Sequence, residues 1–416
     1  MSDTSTNKRA LGVIFMTVVL DLLGFGIVIP LLSFYAEGYG ASTLQVTLLM
    51  ACYSASQFIF APLWGTLSDR YGRRPILLMS IAMTAVMLAG FAGSESLVLL
   101  FVFRTLHGVF AANISTAQAY VADVTSDADR AKGMGMIGAA FGLGFTLGPV
   151  IGGVFAETEL GLSLPIWIAA GLSALNFFLA LAFVKEPERI RPRERKRTLN
   201  PAAFWAVMKH PKVGAYIVLG FAMTVAFSMM ESVFALFQEH RHDMSAREVG
   251  YVLGVIGVVG IVIQGGLIGR LTKRFGEGAL IRVGIPGLAL SLIALAYATP
   301  WAPLFGVAFF LALFQSLVQP SLNSLLSRQT TADDQGFVLG TNQSLSALAR
   351  AISPAVAGLV YTSVSDRAPF WLSAAILGVC TVLAIRATKN LSSPQDTLGL
   401  DPAASGSNDS ALDSAD

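Results

Sequence analysis

Gly65-Thr66-Leu67-Ser68-Asp69-Arg70-Tyr71-Gly72-Arg73-Arg74-Pro75 is a short charged stretch set between two long apolar segments, and it reads as a loop. The flanking segments cover roughly 45–66 and 75–94. Each has about the 20 apolar residues that an α-helix needs to cross a bilayer. The same pattern runs through the chain. Apolar stretches of that length fall at roughly 11–36, 45–66, 75–94, 97–121, 131–155 and 164–184, and again at roughly 213–237, 249–270, 277–298, 302–326, 336–362 and 368–388.

Composition agrees. Of 416 residues, 54% are hydrophobic and 13% are charged, against about 25% charged in a soluble domain. Mean hydropathy is +0.65. The expectation is an all-α polytopic membrane protein of twelve transmembrane helices, a lipid bilayer being its surroundings. The net charge of +2 carries little information, because the basic residues crowd into a few loops. That distribution indicates membrane topology and not nucleic-acid binding. Cys52 and Cys380 both lie inside apolar runs, so neither a disulfide framework nor a metal site is expected. Lys8-Arg9 precede an apolar run too long for a signal-peptide core and without a small-residue cleavage site, so that run is expected to be the first span.

Two boundaries divide the chain. Residues 185–212 form a polar stretch with Lys185, Arg189, Arg191, Arg193, Arg195, Lys196, Arg197, Pro187 and Pro192. Residues 389–416 are rich in Ser, Asp, Ala and Gly, with no apolar face to bury, and are expected to be disordered. The organisation is thus a six-helix bundle over 1–184, a basic linker over 185–212, a second six-helix bundle over 213–388 and a tail. The N-terminus, the 66–75 stretch, Arg130 with Lys132, the linker, the 270–276 loop, Arg328, and Arg386 with Lys389 all fall on one side. That side, with both termini, is expected to be cytoplasmic.

The halves echo each other. Gly65-Thr-Leu-Ser-Asp-Arg-Tyr-Gly72 returns as Gly269-Arg-Leu-Thr-Lys-Arg-Phe-Gly276, and Gly148-Pro149 with Gly153 returns as Ser353-Pro354 with Gly358. Two matches at nearly one offset indicate two pseudo-symmetric halves of a transporter, with parallel six-span repeats. In the first echo Lys273 replaces Asp69 and Glu277 replaces Arg73, so an acid latch is not expected to be duplicated.

Few residues inside the spans are charged, and each is costly there. Asp21 lies about 15 Å into the first span from Leu11. It cannot reach water by snorkelling, so it needs a cavity or a partner. Arg104 in the fourth span lies about 10 Å from the outer edge and is the expected partner, since an arginine stays charged whatever the acid's proton does. The pair is the candidate for proton coupling; a fixed ion pair between spans one and four is the structural alternative. His107 sits one turn beyond Arg104. Tyr53 with Gln57, Gln315 with Gln319, and Asn342 with Arg350 are candidate cavity residues, with helix–helix hydrogen bonding as the alternative. Ser346 lies near the last pair. Glu231, about 27 Å along the seventh span from Val213, is expected near the outer face. Gly138, Gly142, Gly144, Gly148 and Gly152 form pairs four apart that allow close helix packing, and Pro149 can bend the helix.

These residues resemble the major facilitator superfamily over nearly the whole chain. The 65–75 stretch resembles its signature loop between spans two and three. Leu20-Asp21-Leu22-Leu23-Gly24 through Pro30 is similar to the first-span motif of the drug/proton antiporter branch. Arg104 in Phe103-Arg104-Thr105-Leu106-His107-Gly108 resembles that branch's fourth-span arginine. Gly138 through Gly148-Pro149 to Gly152-Gly153 resembles its antiporter motif. Gln57-Phe58-Ile59-Phe60-Ala61-Pro62 and Ala122-Asp123-Val124-Thr125-Ser126 are similar to tetracycline/proton antiporters. Met87 and the apolar residues near Leu288 stand where those pumps carry intramembrane aspartates, so tetracycline is not the expected substrate.

The resemblance implies proton-coupled export of a small organic molecule by alternating access, as a monomer and with no cofactor beyond the proton gradient. It further implies a cytoplasmic gate of Gly65, Asp69, Arg70, Gly72, Arg73 and Asp123. In it Asp69 and Arg73 latch to Asp123, Asp69 meets the start of span eleven, and breaking these contacts opens the inner side. An importer or facilitator of the same fold for a sugar, acid or peptide, and a non-transporting membrane sensor or scaffold, are the alternatives. No P-loop, His-Glu-x-x-His or nucleophile elbow is present, so no enzyme chemistry is expected.

Overall fold

The computed structural model describes residues 3–125, 127–187, 201–330 and 335–388. The expectations for most of the basic linker, for Arg130 and Lys132 and for the tail fall outside the described backbone or side chains.

Among the described residues, twelve helices are long and apolar enough to span a membrane. The first half contains Leu11–Glu37, Thr43–Tyr71, Arg73–Ala92, Leu97–Val124, Gly135–Ala156 and Ser163–Phe183. The second contains Pro211–His242, Ala246–Phe275, Glu277–Leu295, Ala302–Arg328, Phe337–Ser363 and Ala368–Thr388. A short helix, Pro201–Lys209, precedes span seven. Large apolar side chains such as Ile59, Val98, Phe178, Leu290 and Val379 are more than 60% exposed. So broad an apolar surface suits lipid and not water.

Local chemistry starts and stops the helices at matching places in the two halves. Spans two and eight both open with capping boxes, Ser42 with Gln45 and Ser245 with Glu248, each satisfying backbone N–H groups that have no helical acceptor. Spans two and eight both end at a glycine of positive φ, Gly72 at +106° and Gly276 at +76°, a conformation glycine adopts without steric cost. This corrects the reading of 65–75 as a loop. The helix runs on to Tyr71 and the next begins at Arg73, so the turn is Gly72 alone. Once a helix leaves the hydrocarbon it can carry Ser68, Asp69 and Arg70 without unwinding.

Within the first half, span one packs on spans five and six, three on four and six, and two on four. Within the second, span nine packs on ten and twelve, seven on eleven and twelve, and eight on ten. The halves meet along two helix pairs, five with eight and two with eleven. The glycines of span five divide between these tasks. Gly144, Gly148 and Gly152 lie so close to Leu22, Gly26 and Ile27 of span one that an added Cβ would fall 2.5 to 2.8 Å from their atoms. Gly153 turns instead to span eight, where a Cβ would lie 2.7 Å from the Ala246 carbonyl.

The five–eight contact opens like a hinge. From the outer end inward, Gly153 meets Ala246, Pro149 meets Gly250, Val150 meets Gly254, Thr146 meets Gly257, and Gly142 comes within 3.2 Å of Ile261. One turn further in, Gly138 has no neighbour within 4 Å of a Cβ position, nor has Gly265 on span eight. Gly138 therefore does not pack a helix here. Spans two and eleven diverge in the same way. Thr47 touches Gly358 near the outer end, but Gly65 and Gly340, each eighteen residues or five turns further in on the same face, have no such neighbour. The halves are closed together at the end expected to face outward and parted at the end expected to be cytoplasmic. A π-helical turn over Ile263–Leu267 lies where spans five and eight part, the kind of local irregularity that marks hinges.

Candidate functional site

Span four is not one helix. It runs from Leu97 to Phe110, breaks at Ala111–Ala112, and resumes from Asn113 to Val124. Ala111 adopts φ −75° and ψ 71°, an inverse γ-turn. Non-helical backbone at membrane depth persists only where its polar groups find partners. Here two other spans supply them. Ser80 of span three donates to the Phe110 carbonyl at 2.6 Å and accepts from Ala112 N at 2.9 Å. Gln57 and Trp64 of span two donate to the carbonyls of Ala111 and Val109, at 3.4 and 2.5 Å.

Asp21 meets this break. Its buried carboxylate accepts from Asn113 Nδ2. The expected pair of Asp21 with Arg104 is not formed. Arg104 lies nine residues, about 13 Å, outward of Asn113 along span four, and Asn113 is the residue level with Asp21. The Arg104 guanidinium rests on the Tyr53 ring, 4.4 Å from its centre. Its Nε is buried with no hydrogen-bond partner. A cation over an aromatic face gains about 2 kcal/mol or more when desolvated, which offsets part of the cost of burying this arginine without an acid. His107 is buried edge-on to the same ring at 5.0 Å. Phe25 and Phe145 extend the aromatic row, 5.7 Å from Tyr53 and 6.0 Å from each other's centre respectively.

Tyr53 also lies in the field of Asp21 and of Arg350, so it stands between the charges of the two halves. Arg350 interacts electrostatically with Glu231 and Tyr53 and hydrogen-bonds to neither. Glu231 is therefore not at the outer face. Span seven continues to His242, past the polar Gln238 to Arg241, which places Glu231 about 16 Å below its outer end. The structure places the other cavity candidates as follows. Gln57 is tied to the break. Asn342 and Ser346 face span seven, the former against Gly220 and the latter 3.4 Å from Thr224. Gln315 and Gln319 are half-buried, and the structure gives them no hydrogen bond.

At the inner surface Arg73 joins Asp69 and Asp123, each at 2.8 Å, and donates to Ser68 at 2.6 Å. Arg70 is exposed over Tyr71. The sequence reading missed Glu186, whose carboxylate accepts from the N–H groups of Arg73 and Arg74 at 2.6 and 2.8 Å and so caps span three. A Cβ on Gly72 would lie 2.7 Å from that carboxylate. The three paired residues belong to one half, so opening the inner side does not break them, contrary to the sequence reading. The expected meeting of Asp69 with the start of span eleven falls on residues outside those described. The second half does contain a counterpart, with inverted charge. Glu277 pairs with Arg328 at 3.3 Å and accepts from Ser324 at 3.0 Å.

The outer side is fastened across the halves. His240 of span seven meets Glu37 of span one at 2.9 Å, and Arg247 of span eight meets Glu157 after span five at 2.9 Å.

A family model described as Major Facilitator Superfamily matches residues 14–303 and 265–404. The class C tetracycline resistance protein of Escherichia coli is 33% identical over 369 residues, covering 86% of this chain and 91% of that one. Multidrug resistance protein 2 of Bacillus subtilis is 26% identical, with 87% and 91% covered. The crystal structure of the human organic anion transporter MFSD10 (TETRAN) superposes with a TM-score of 0.70 at 26% identity, covering 91% of this chain and 99% of that one. The chain belongs to the major facilitator superfamily and, within it, to the drug-efflux type.

Proposed function

We propose that the protein exports a small organic molecule from the cell in exchange for protons, by alternating access between its two six-helix bundles. The observation that carries this reading is the placement of Asp21. It is a buried acid whose partner is an uncharged amide, held at a broken helix of the first bundle, in a molecule whose two bundles meet at one end and part at the other. In such a transporter the carboxylate takes a proton from the outer side. It releases that proton inward as the substrate binds. Broken helices near the middle of the bilayer are where transporters of this kind place their binding sites. The resemblance of the chain to tetracycline and multidrug resistance proteins supports export. The bundles are assigned to 1–184 and 213–388, the host membrane is the cell membrane, both termini are cytoplasmic, and the monomer is the working unit.

A second reading concerns the coupling sign. Arg104 has no acid partner, and one neighbour is named an organic anion transporter. An anion held by Arg104 and Arg350 binds better when Asp21 is neutral, which produces co-transport with protons. A cationic or neutral substrate competes with the proton, which produces exchange.

Flux in proteoliposomes separates the two readings, with ethidium, tetracycline and fluorescein as probes and a pH gradient imposed in either direction. Export by exchange requires accumulation of ethidium or tetracycline when the lumen is acid. Accumulation of fluorescein only when the outside is acid favours co-transport. Absence of gradient-driven flux for all three probes counts against the proposal.

A further inference from the structure

The Ser80 hydroxyl has one proton and two acceptors. It lies 2.6 Å from the Phe110 carbonyl and 2.7 Å from Asn113 Oδ1, and it already accepts from Ala112 N at 2.9 Å. Ala112 and Asn113 are buried and Phe110 is half-buried, and with a single proton Ser80 can make only one of the two donations at a time. Asn113 faces Ser80 with its oxygen and Asp21 with its amide nitrogen. The two ends of a primary amide have nearly the same shape. A half-turn about its last bond exchanges donor for acceptor without disturbing the packing.

From this geometry we infer that Asn113 and Ser80 form a two-state relay that reports the protonation of Asp21 to the break in span four. The inference rests on the assignment of Asp21 as the proton carrier. With Asp21 ionised, Asn113 donates to the carboxylate, and its oxygen takes the Ser80 proton. Phe110 then keeps only its bond from Ala112 N. When one proton arrives on Asp21, the acid becomes a donor. Asn113 turns its oxygen to the acid, and its N–H now donates to Ser80 Oγ. The Ser80 proton swings to the Phe110 carbonyl. The Ser80 hydroxyl, the Ala112 N–H, the Asp21 proton and the Asn113 N–H that takes part each have an acceptor in the state that uses them, and no proton is gained or lost beyond the one on Asp21. The outer segment of span four, with Arg104 and His107, is held more tightly to span three when the acid is neutral and is released when it ionises.

No other ionisable group takes Asn113's place. The described parts of spans five and six, which pack most closely on span one, contain no ionisable residue at all. Tyr53 of span two feels Asp21, Arg104 and Arg350. Glu231 of span seven acts on Arg350 of span eleven, both in the second half. Span eight has charged side chains only toward its two ends. Asn113 and Ser80 are positioning residues in this account, since the proton itself resides on Asp21.

The test uses the full-length protein in proteoliposomes, with ethidium as probe. It compares wild type with Asp21→Asn, Ser80→Ala and Asn113→Leu. Ethidium counterflow, which needs no net proton movement, reports a folded carrier. The relay predicts that Ser80→Ala keeps counterflow within about twofold of wild type while the pH dependence of gradient-driven flux flattens. It predicts that Asn113→Leu moves the pH profile upward by about one to two units, from loss of one hydrogen bond to the ionised acid. A merely structural role for Ser80 lowers flux by the same factor at every pH, and that result overturns the relay. If Ser80→Ala fails to fold, wild type still decides. Infrared difference spectra across the titration should show an asparagine side-chain band changing together with the Asp21 carboxyl band, and a carboxyl change alone overturns the relay. If wild-type flux has no pH dependence, or Asp21→Asn keeps it, the proton-carrier assignment fails and the relay fails with it. If that dependence requires Asp21 but both relay variants follow wild type, only the relay fails.

Discussion

Gly152 and Gly153 are adjacent, yet a methyl group added to each should have opposite consequences. A Cβ on Gly152 would meet the Ile27 carbonyl of span one at 2.8 Å, within the first half. A Cβ on Gly153 would meet the Ala246 carbonyl at 2.7 Å and the Arg247 Cα at 2.8 Å, across the halves. Both fall short of an ordinary carbon contact of about 3.5 Å by about 0.7 Å, and the obstacles are backbone atoms that no rotamer change removes. Overpacking of this kind costs about 1 to 3 kcal/mol. At Gly152 the strain persists in every state, because spans one and five stay together, so Gly152→Ala should lower thermal stability. At Gly153 the strain exists only while the outer side is closed. Gly153→Ala should therefore leave stability near wild type and shift the balance toward outward opening by about five- to 150-fold. Spin labels at the exposed positions Glu159 and Val364, with Cys52 and Cys380 replaced by serine, report the outer separation. A longer-distance population in Gly153→Ala alone is expected. Equal thermal losses in both variants, with unchanged distances, would refute the division of span five into an internal face and a gating face.

Other perturbations follow from the same contacts. Gly72→Ala combines a φ of +106° with a clash against Glu186, and thermal melting should show a loss of about 1 to 3 kcal/mol. Glu186→Gln should cost less, since an amide oxygen can replace only one of the two accepting carboxylate oxygens. Glu157→Gln removes a partly exposed ion pair with Arg247 worth about 0.2 to 1 kcal/mol, Glu37→Gln weakens the contact with His240, and the same spin-label pair should show a small outward shift in the double variant. In the inverted latch, Glu277→Arg should impair folding or flux, and the exchange Glu277→Arg with Arg328→Glu should restore it.

The spans were legible because length and apolarity are the physical requirements for crossing a bilayer. The repeat was legible because Gly72 and Gly276 are needed at the same turn in each half. The importance of Asp21 was equally visible, since an acid at that depth has few satisfactory environments. Its partner was not. Arg104 attracts attention as a charge, but a charge can be met by the face of Tyr53, which a sequence does not reveal. The break at Ala111–Ala112 leaves no mark in an apolar run. Its one signal is Asn113 followed by Ser115 and Thr116, residue types whose side chains compete with helical hydrogen bonds. Ser80 and Glu186 are ordinary residues made important by atoms thirty or more positions away. Glu231 was misplaced because polar residues at 238–241 resemble a helix end, although the helix continues through them to His242.

The central claim is that a proton and the substrate compete through Asp21. Proton release on binding tests it most directly, using detergent-solubilised protein in weak buffer with a pH-indicating dye and ethidium added as the probe. The account predicts that ethidium displaces protons from wild type and none from Asp21→Asn, with binding itself retained in the variant. Proton uptake on binding, or release that is unchanged in Asp21→Asn, would contradict it.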